Sequence, residues 1–136
     1  MVIRSTLAAV LAVATAATAL AQDERLSGQD VRDFMLGKRM SGVLVETNET
    51  WFECVASTGE TVYSLEGQVS TGFVEVEPSG RTCFTYPRGD YTTQACFHVE
   101  ESGGKTVFVE VQSGMQFRVD TVDTEFDQCP TSAPVS

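Results

Sequence analysis

The chain has 136 residues, a formal net charge of −10 and four cysteines. That length suits one domain with a modest core. The acidity argues against nucleic acid and anionic membrane surfaces as partners, because both repel a negative surface, and it permits a basic protein or a cation.

The N-terminus reads as an export signal. Arg4 supplies a positive n-region, Leu7 to Leu20 an alanine-rich apolar stretch, and Ala19-Leu20-Ala21 a small-x-small cleavage site. Residues 1–21 are therefore expected to be a signal peptide, with the mature chain starting at Gln22. The apolar run is too short for a good membrane span, and no later stretch is long enough. No cysteine follows the cleavage site to take a lipid anchor. The expected location is secreted or periplasmic, with no membrane span. Cleavage removes one basic residue and no acid, so the mature chain is more acidic still.

Residues 22–26 are polar and expected to be loose. Ser27 is placed as a helix N-cap, with Asp30 three residues on in a capping-box relation. Val31, Phe34 and Met35 fall on one helical face, and Gly37 is placed to end the helix. Beyond Gly37 the period changes to two. Strands are expected over Arg39–Val45, Thr50–Ala56, Thr61–Glu66, Thr71–Glu77, Arg81–Tyr86, Gln94–Glu100, Lys105–Val111 and Met115–Val119. These segments are rich in Val, Phe, Tyr and Thr, and glycine-, serine- and proline-containing turns separate them. No spacer is long enough for a helical crossover. The fold class is thus mainly β: an antiparallel up-and-down meander of about eight strands, closed as a small barrel or folded as a sandwich, with one short N-terminal helix. One domain is expected over residues 22–119. Residues 120–136 are expected to form an acidic, Pro- and Ser-containing tail over the surface.

Cys54, Cys83, Cys96 and Cys129 all lie in the mature region, and an even count in an exported domain implies two disulfides. No two are spaced as zinc ligands, and His98 is the only histidine. Cys83 and Cys96 flank the Pro87–Thr92 loop almost symmetrically. If they face each other, Phe84 opposes Ala95, Tyr86 opposes Thr93, and Phe84, Tyr86, Phe97 and Val99 share a face. Opposed positions of an antiparallel pair are close enough for a disulfide. Cys54 and Cys129 then pair by elimination, tying the tail back to the second strand.

The run Leu26-Ser27-Gly28-Gln29-Asp30-Val31-Arg32-Asp33-Phe34-Met35-Leu36-Gly37, followed by Gly72-Phe73-Val74-Glu75-Val76, Cys83-Phe84 and Cys96-Phe97, resembles a group of small exported alphaproteobacterial β-meander proteins in domain-of-unknown-function families. Val74 stands where the group's motif has Trp, and Cys54 and Cys129 are additional. The resemblance implies a lipocalin-like small barrel, with no established activity and no catalytic residues to carry over.

No catalytic, cofactor or metal site is expected. The register places His98 opposite Arg81, on the face away from Phe84 and Phe97, as a solvated strand histidine without an oriented nucleophile. The acidic run Asp120, Asp123, Glu125 and Asp127 lacks the glycine and closing glutamate of a calcium loop. Arg88-Gly89-Asp90 reads as turn chemistry, and Asn48-Glu49-Thr50 is a glycosylation sequon only in a eukaryotic host. Trp51, Phe52, Tyr63, Phe73, Phe108 and Phe117 are expected in the core or lining a barrel; an eight-stranded barrel is either filled or holds one small ligand, and a packed core is the default expectation. The functional expectation is a monomeric, exported, disulfide-stabilised cell-envelope protein that binds without catalysis, its partner an unknown protein or a small apolar ligand. A narrower form is inhibition of a basic, lysozyme-like hydrolase. Ser79-Gly80-Arg81 and Ser113-Gly114-Met115 are only fragments of the loop such inhibitors carry.

Overall fold

A computed structural model describes residues 24–124 and residue 129; the expected signal peptide and residues 125 and 127 of the acidic run lie outside the described residues. The elements are β1 (Glu24–Arg25), α1 (Gly28–Met35), β2 (Lys38–Leu44), β3 (Thr50–Val55), β4 (Glu60–Leu65), β5 (Gln68–Val76), β6 (Thr82–Arg88), β7 (Tyr91–Ser102), β8 (Lys105–Glu110) and β9 (Gln116–Asp123). Strands β2 to β9 pair in sequence order and antiparallel throughout, and β9 returns to pair with β2. The meander therefore closes into an eight-stranded barrel rather than a sandwich. Closure leaves no open ladder between the first and last barrel strands, which removes the edge an open sheet would expose.

The long strand β7 makes this geometry work. Its first half pairs with β6, from Arg88↔Tyr91 to Thr82↔Phe97, and its second half with β8, from Phe97↔Glu110 to Ser102↔Lys105. The second half then has unpaired backbone groups on its β6 side. Residues 24–25, expected to be loose, fill that gap: Glu24 and Arg25 pair with Glu101 and Glu100, and the Leu26 amide donates to the Val99 carbonyl at 2.8 Å. Backbone satisfaction outweighs local sequence preference here. Several strands also run past their expected bounds. β5 starts at Gln68, β7 at Tyr91, and β9 continues to Asp123 because Ser41, Met40 and Arg39 of β2 supply partners. Asp120 and Asp123 thus belong to a strand and not to a surface tail.

Helix α1 closes one end. The Ser27 hydroxyl and the Asp30 carboxylate exchange capping bonds with each other's backbone, and Leu36 is the C-cap ahead of Gly37. Val31 and Met35 are fully buried, and Phe34 packs 6.4 Å from the Phe108 ring. The Arg32 guanidinium donates to the Val76 carbonyl at 2.6 Å and the Gly28 amide to the Pro78 carbonyl at 3.1 Å, which ties the helix to β5 and its following turn. Each fully buried aliphatic side chain contributes roughly 1.5–3 kcal/mol relative to exposure.

Both expected cysteine pairs stand at bonding distance. Cys83 and Cys96 are directly opposed across β6 and β7, with Cα atoms 4.0 Å apart. Cys54 bonds Cys129 across 75 residues of sequence. Strand alternation turns Cys54 and Phe52 outward from β3, while Trp51, Glu53 and Val55 point in. Phe73, on the outward parity of β5, is 44 % exposed. The expectation that Phe52 and Phe73 belong to the core is therefore corrected: both are aromatic residues on the outward face of their strands. Among the described residues no helix is long and apolar enough to cross a membrane.

Candidate functional site

The inward positions do not fill the barrel evenly. Along β7, Val99 and Phe97 are buried, Ala95 is half-buried and Thr93 is exposed. Along β9, Val119 is buried and Phe117 half-buried; along β4, Thr61 is buried while Tyr63 and Leu65 are half-buried. On β7 and β4, and on β9 from Val119 to Phe117, exposure rises toward the end opposite α1. The barrel is sealed at one end and open at the other.

In the open half lies a cavity of about 120 Å³. Its wall is a belt of aromatic rings that can be followed from strand to strand. Trp51 on β3 meets Phe117 on β9 edge-on at 6.1 Å, and Phe117 meets Phe97 on β7 at 5.5 Å and 90°. Phe97 meets Phe84 on β6 at 5.7 Å, Phe84 stacks on Tyr86 at 6.4 Å, and Tyr86 lies 5.8 Å from Tyr63 on β4. Phe108 packs below, against Phe84 and Phe97. Met40 and Ala95 complete the apolar wall. Edge-to-face pairs at these separations contribute on the order of 1 kcal/mol each beyond their buried area, so the belt is stiff.

Two glycines make the belt possible. A Cβ on Gly72 would collide with the Thr85 carbonyl oxygen and crowd the Tyr86 ring, so glycine here lets β5 and β6 close with Tyr86 turned inward. A Cβ on Gly42 would collide with the Arg118 carbonyl, the same oxygen that accepts the Trp51 indole N–H at 3.2 Å. That bond fixes the Trp51 ring.

The belt is completed by a carboxylate. Glu53 follows Trp51 on the inward face of β3, stands directly opposite Tyr63, and is 4 % exposed. The Tyr86 hydroxyl lies 3.2 and 3.1 Å from its two oxygens, and the Thr61 hydroxyl donates to Oε1. The same Thr61 hydroxyl lies 3.0 Å from the Cys54 carbonyl, so its one proton is shared between two acceptors. Among the described residues no Lys, Arg or His forms an ion pair with Glu53. Burial without a cation pushes the Glu53 carboxyl well above the ordinary carboxylate range, and the Tyr86 bond offsets this only in part. Burial first, and the nearby Glu53 second, hold the Tyr86 and Tyr63 phenols above their usual range. At the mouth, the exposed Arg88 donates to Ser70 Oγ at 2.7 Å and to Thr93 Oγ1 at 3.3 Å.

The expected residues fall as follows. Trp51, Tyr63, Phe108 and Phe117 line the cavity. His98 lies on the outward parity of β7, opposite Val109 of β8, but is half-buried rather than solvated, and its Nδ1 is buried without a hydrogen-bond partner. Gly89 and Asp90 form the two-residue hairpin loop between β6, which ends at Arg88, and β7, with Gly89 at φ 61°. Asn48 sits in the β2–β3 turn at φ 61°. Asp120 accepts Arg118 at 2.8 Å, and Asp123 pairs with Arg39 at 2.5 Å, so these two acids are spent in salt bridges. Among the described residues no group of three or more His, Cys, Asp or Glu is gathered as a metal site. Glu53 was not anticipated. Its signal was present in the Trp51-Phe52-Glu53-Cys54-Val55 alternation, which puts a carboxylate between two inward apolar residues. No protein family, curated protein or solved structure matches the chain.

Proposed function

We propose that the protein is an exported, non-catalytic binding protein whose barrel takes up one small, mostly apolar ligand through the end opposite α1. One observation carries this reading: an apolar cavity walled by a continuous aromatic belt, in a barrel sealed at one end and open at the other. A volume of about 120 Å³ approaches the ~150 Å³ at which an apolar protein cavity holds a benzene ring. The ligand is therefore of single-ring size. Non-catalytic action is supported by the placement of His98, which faces outward and away from the cavity. The two disulfides fit an oxidising compartment. The acidic surface remains available to a basic protein partner.

The chain has a single tryptophan, and it lines the cavity, so Trp51 emission reports occupancy directly. Titration of the folded protein with benzyl alcohol should give a saturable change. Ala95→Leu, which projects three further carbons into the cavity, should abolish that change while leaving the fold intact. A wild-type protein that shows no saturable response, and no small molecule in its native mass spectrum after purification from its own host, would end the reading.

A further inference from the structure

The cavity has a charge pattern as well as a size. Trp51, Tyr63, Tyr86, Phe84, Phe97 and Phe117 surround it with rings whose faces carry negative charge density. The one ionisable carboxyl among them, Glu53, has hydrogen-bond donors from Thr61 and Tyr86 and, among the described residues, no cation in an ion pair with it. Two donors leave lone pairs on the carboxylate unused, since an ionised carboxylate has about four acceptor positions. Arg88 does not supply the missing charge: it is exposed at the mouth and occupied by Ser70 and Thr93. A buried carboxylate beside aromatic rings attracts an organic cation through the charge pair, and any ring that turns its face to that cation adds cation–π contact. The chain's overall acidity draws such a ligand in the same direction.

We infer that the barrel's ligand is a small organic cation, one ring bearing a protonated amine, with its ammonium on Glu53 and its ring against Trp51, Phe97 and Phe117. This rests on the small-ligand reading above and sharpens it. In the empty barrel burial disfavours the charged form of Glu53, which extends the pH range over which its carboxyl is protonated. An arriving ammonium removes that preference: the carboxyl O–H bond breaks, the proton leaves to solvent, and the carboxylate accepts an N–H donor. The groups that face Glu53 or act on this exchange are the Tyr63 and Tyr86 phenols, which stay protonated, Glu49 near Tyr63, and the exposed Arg88 near Tyr86. The other walls contribute Met40, Ala95 and phenylalanine rings, which do not titrate.

Benzylamine and benzyl alcohol match in ring and length and differ in charge, so they separate the two ideas. Binding is read by Trp51 emission and by calorimetry in low salt between pH 5 and 8. Benzylamine should bind at least about tenfold tighter than benzyl alcohol at pH 8, a preference of roughly 1.4 kcal/mol. Its affinity should fall toward pH 5, with proton release on binding that disappears when Glu53 is already ionised. Benzyl alcohol should show neither effect. In Glu53→Gln the preference should vanish, while benzyl alcohol binds within about threefold of wild type, which also shows that the variant is folded. If benzyl alcohol binds as well as benzylamine at every pH, the cation inference falls and the small-ligand reading stands. If the amine preference survives in Glu53→Gln, the assignment to Glu53 falls. If the folded wild type takes neither probe, both readings fall. The wild-type pH profile tests the inference even where the variant does not fold.

Discussion

The two ends of the barrel are built from one alternating pattern and come to opposite results. At the closed end the inward residues are short and aliphatic: Val55 and Val99 meet Val31 and Met35 of α1, and all four are fully buried. Toward the open end they are long and aromatic, Tyr63 and Phe117 are only half-buried, and a cavity remains between the rings. The closed end thus carries the packing that stabilises the fold, and the open end carries the stiffness and the chemistry. Aromatic rings are suited to the second task because they hold a wall upright through edge-to-face contacts without filling the space between them. Small aliphatic residues interdigitate and leave no such space. Among the described residues the one buried acid, Glu53, also lines this cavity, where a charge can be matched by something from outside.

This contrast can be broken in four ways. The largest loss should come from the outer clamp. Replacing Cys54 and Cys129 together by alanine releases a constraint across 75 residues and should cost about 4 kcal/mol in urea denaturation, against about 3 kcal/mol for Cys83 and Cys96, which span 13. Equal losses, or a larger loss for the shorter loop, would contradict the entropic account.

Next is the closed end. Met35→Ala empties a fully buried site beneath the helix and should cost about 3 kcal/mol, with benzyl alcohol affinity unchanged at temperatures where the variant is folded. A loss of affinity in step with stability would show that the two ends are not separable.

Third is the pH dependence of stability. Glu53 has its folded value raised above the ordinary 4.5, so the folded protein keeps a proton that the unfolded chain gives up. Its cost is therefore absent below the ordinary value, grows as pH rises toward the raised value, and is constant above it. The slope inside that window is at most about 1.4 kcal/mol per pH unit. Glu53→Gln should flatten the urea-midpoint profile and exceed wild type in stability at pH 8. A variant less stable than wild type at pH 8, with the slope unchanged, would show that Glu53 is held ionised in the fold.

The smallest stability effect belongs to the open end itself. Ala95→Leu adds bulk where space already exists and should change stability by less than about 1 kcal/mol, although it abolishes ligand uptake. A loss of several kcal/mol would mean that the cavity is too rigidly walled to accept the side chain.

Some of this was legible residue by residue. The Ser27–Asp30 capping pair, the Val31 and Met35 face and the stop at Gly37 are local signals, and they describe α1 as it stands. The change of period after Gly37 and the Cys83–Cys96 symmetry give the meander and the register that places Phe84 opposite Ala95. These follow from the sequence because helix caps, strand alternation and tight turns act between residues close in the chain. Other features depend on where the chain returns. Whether the meander closes is decided by β9 meeting β2, and whether residues 24–25 are ordered is decided by the vacant half of β7. The assignment of Phe52 and Phe73 to the outside follows from which parity of each strand faces the barrel axis, which composition does not encode. The site is the furthest from local reading. Trp51, Glu53, Tyr63, Tyr86, Phe97 and Phe117 come from five strands, and only the curvature of the closed sheet turns them toward one another. The sequence by itself determined the helix, the eight meander strands and the facing pair of cysteines on β6 and β7. Closure alone decided that the inward rows of those strands surround a cavity, because the space inside a barrel is a property of all its strands together and of no single one.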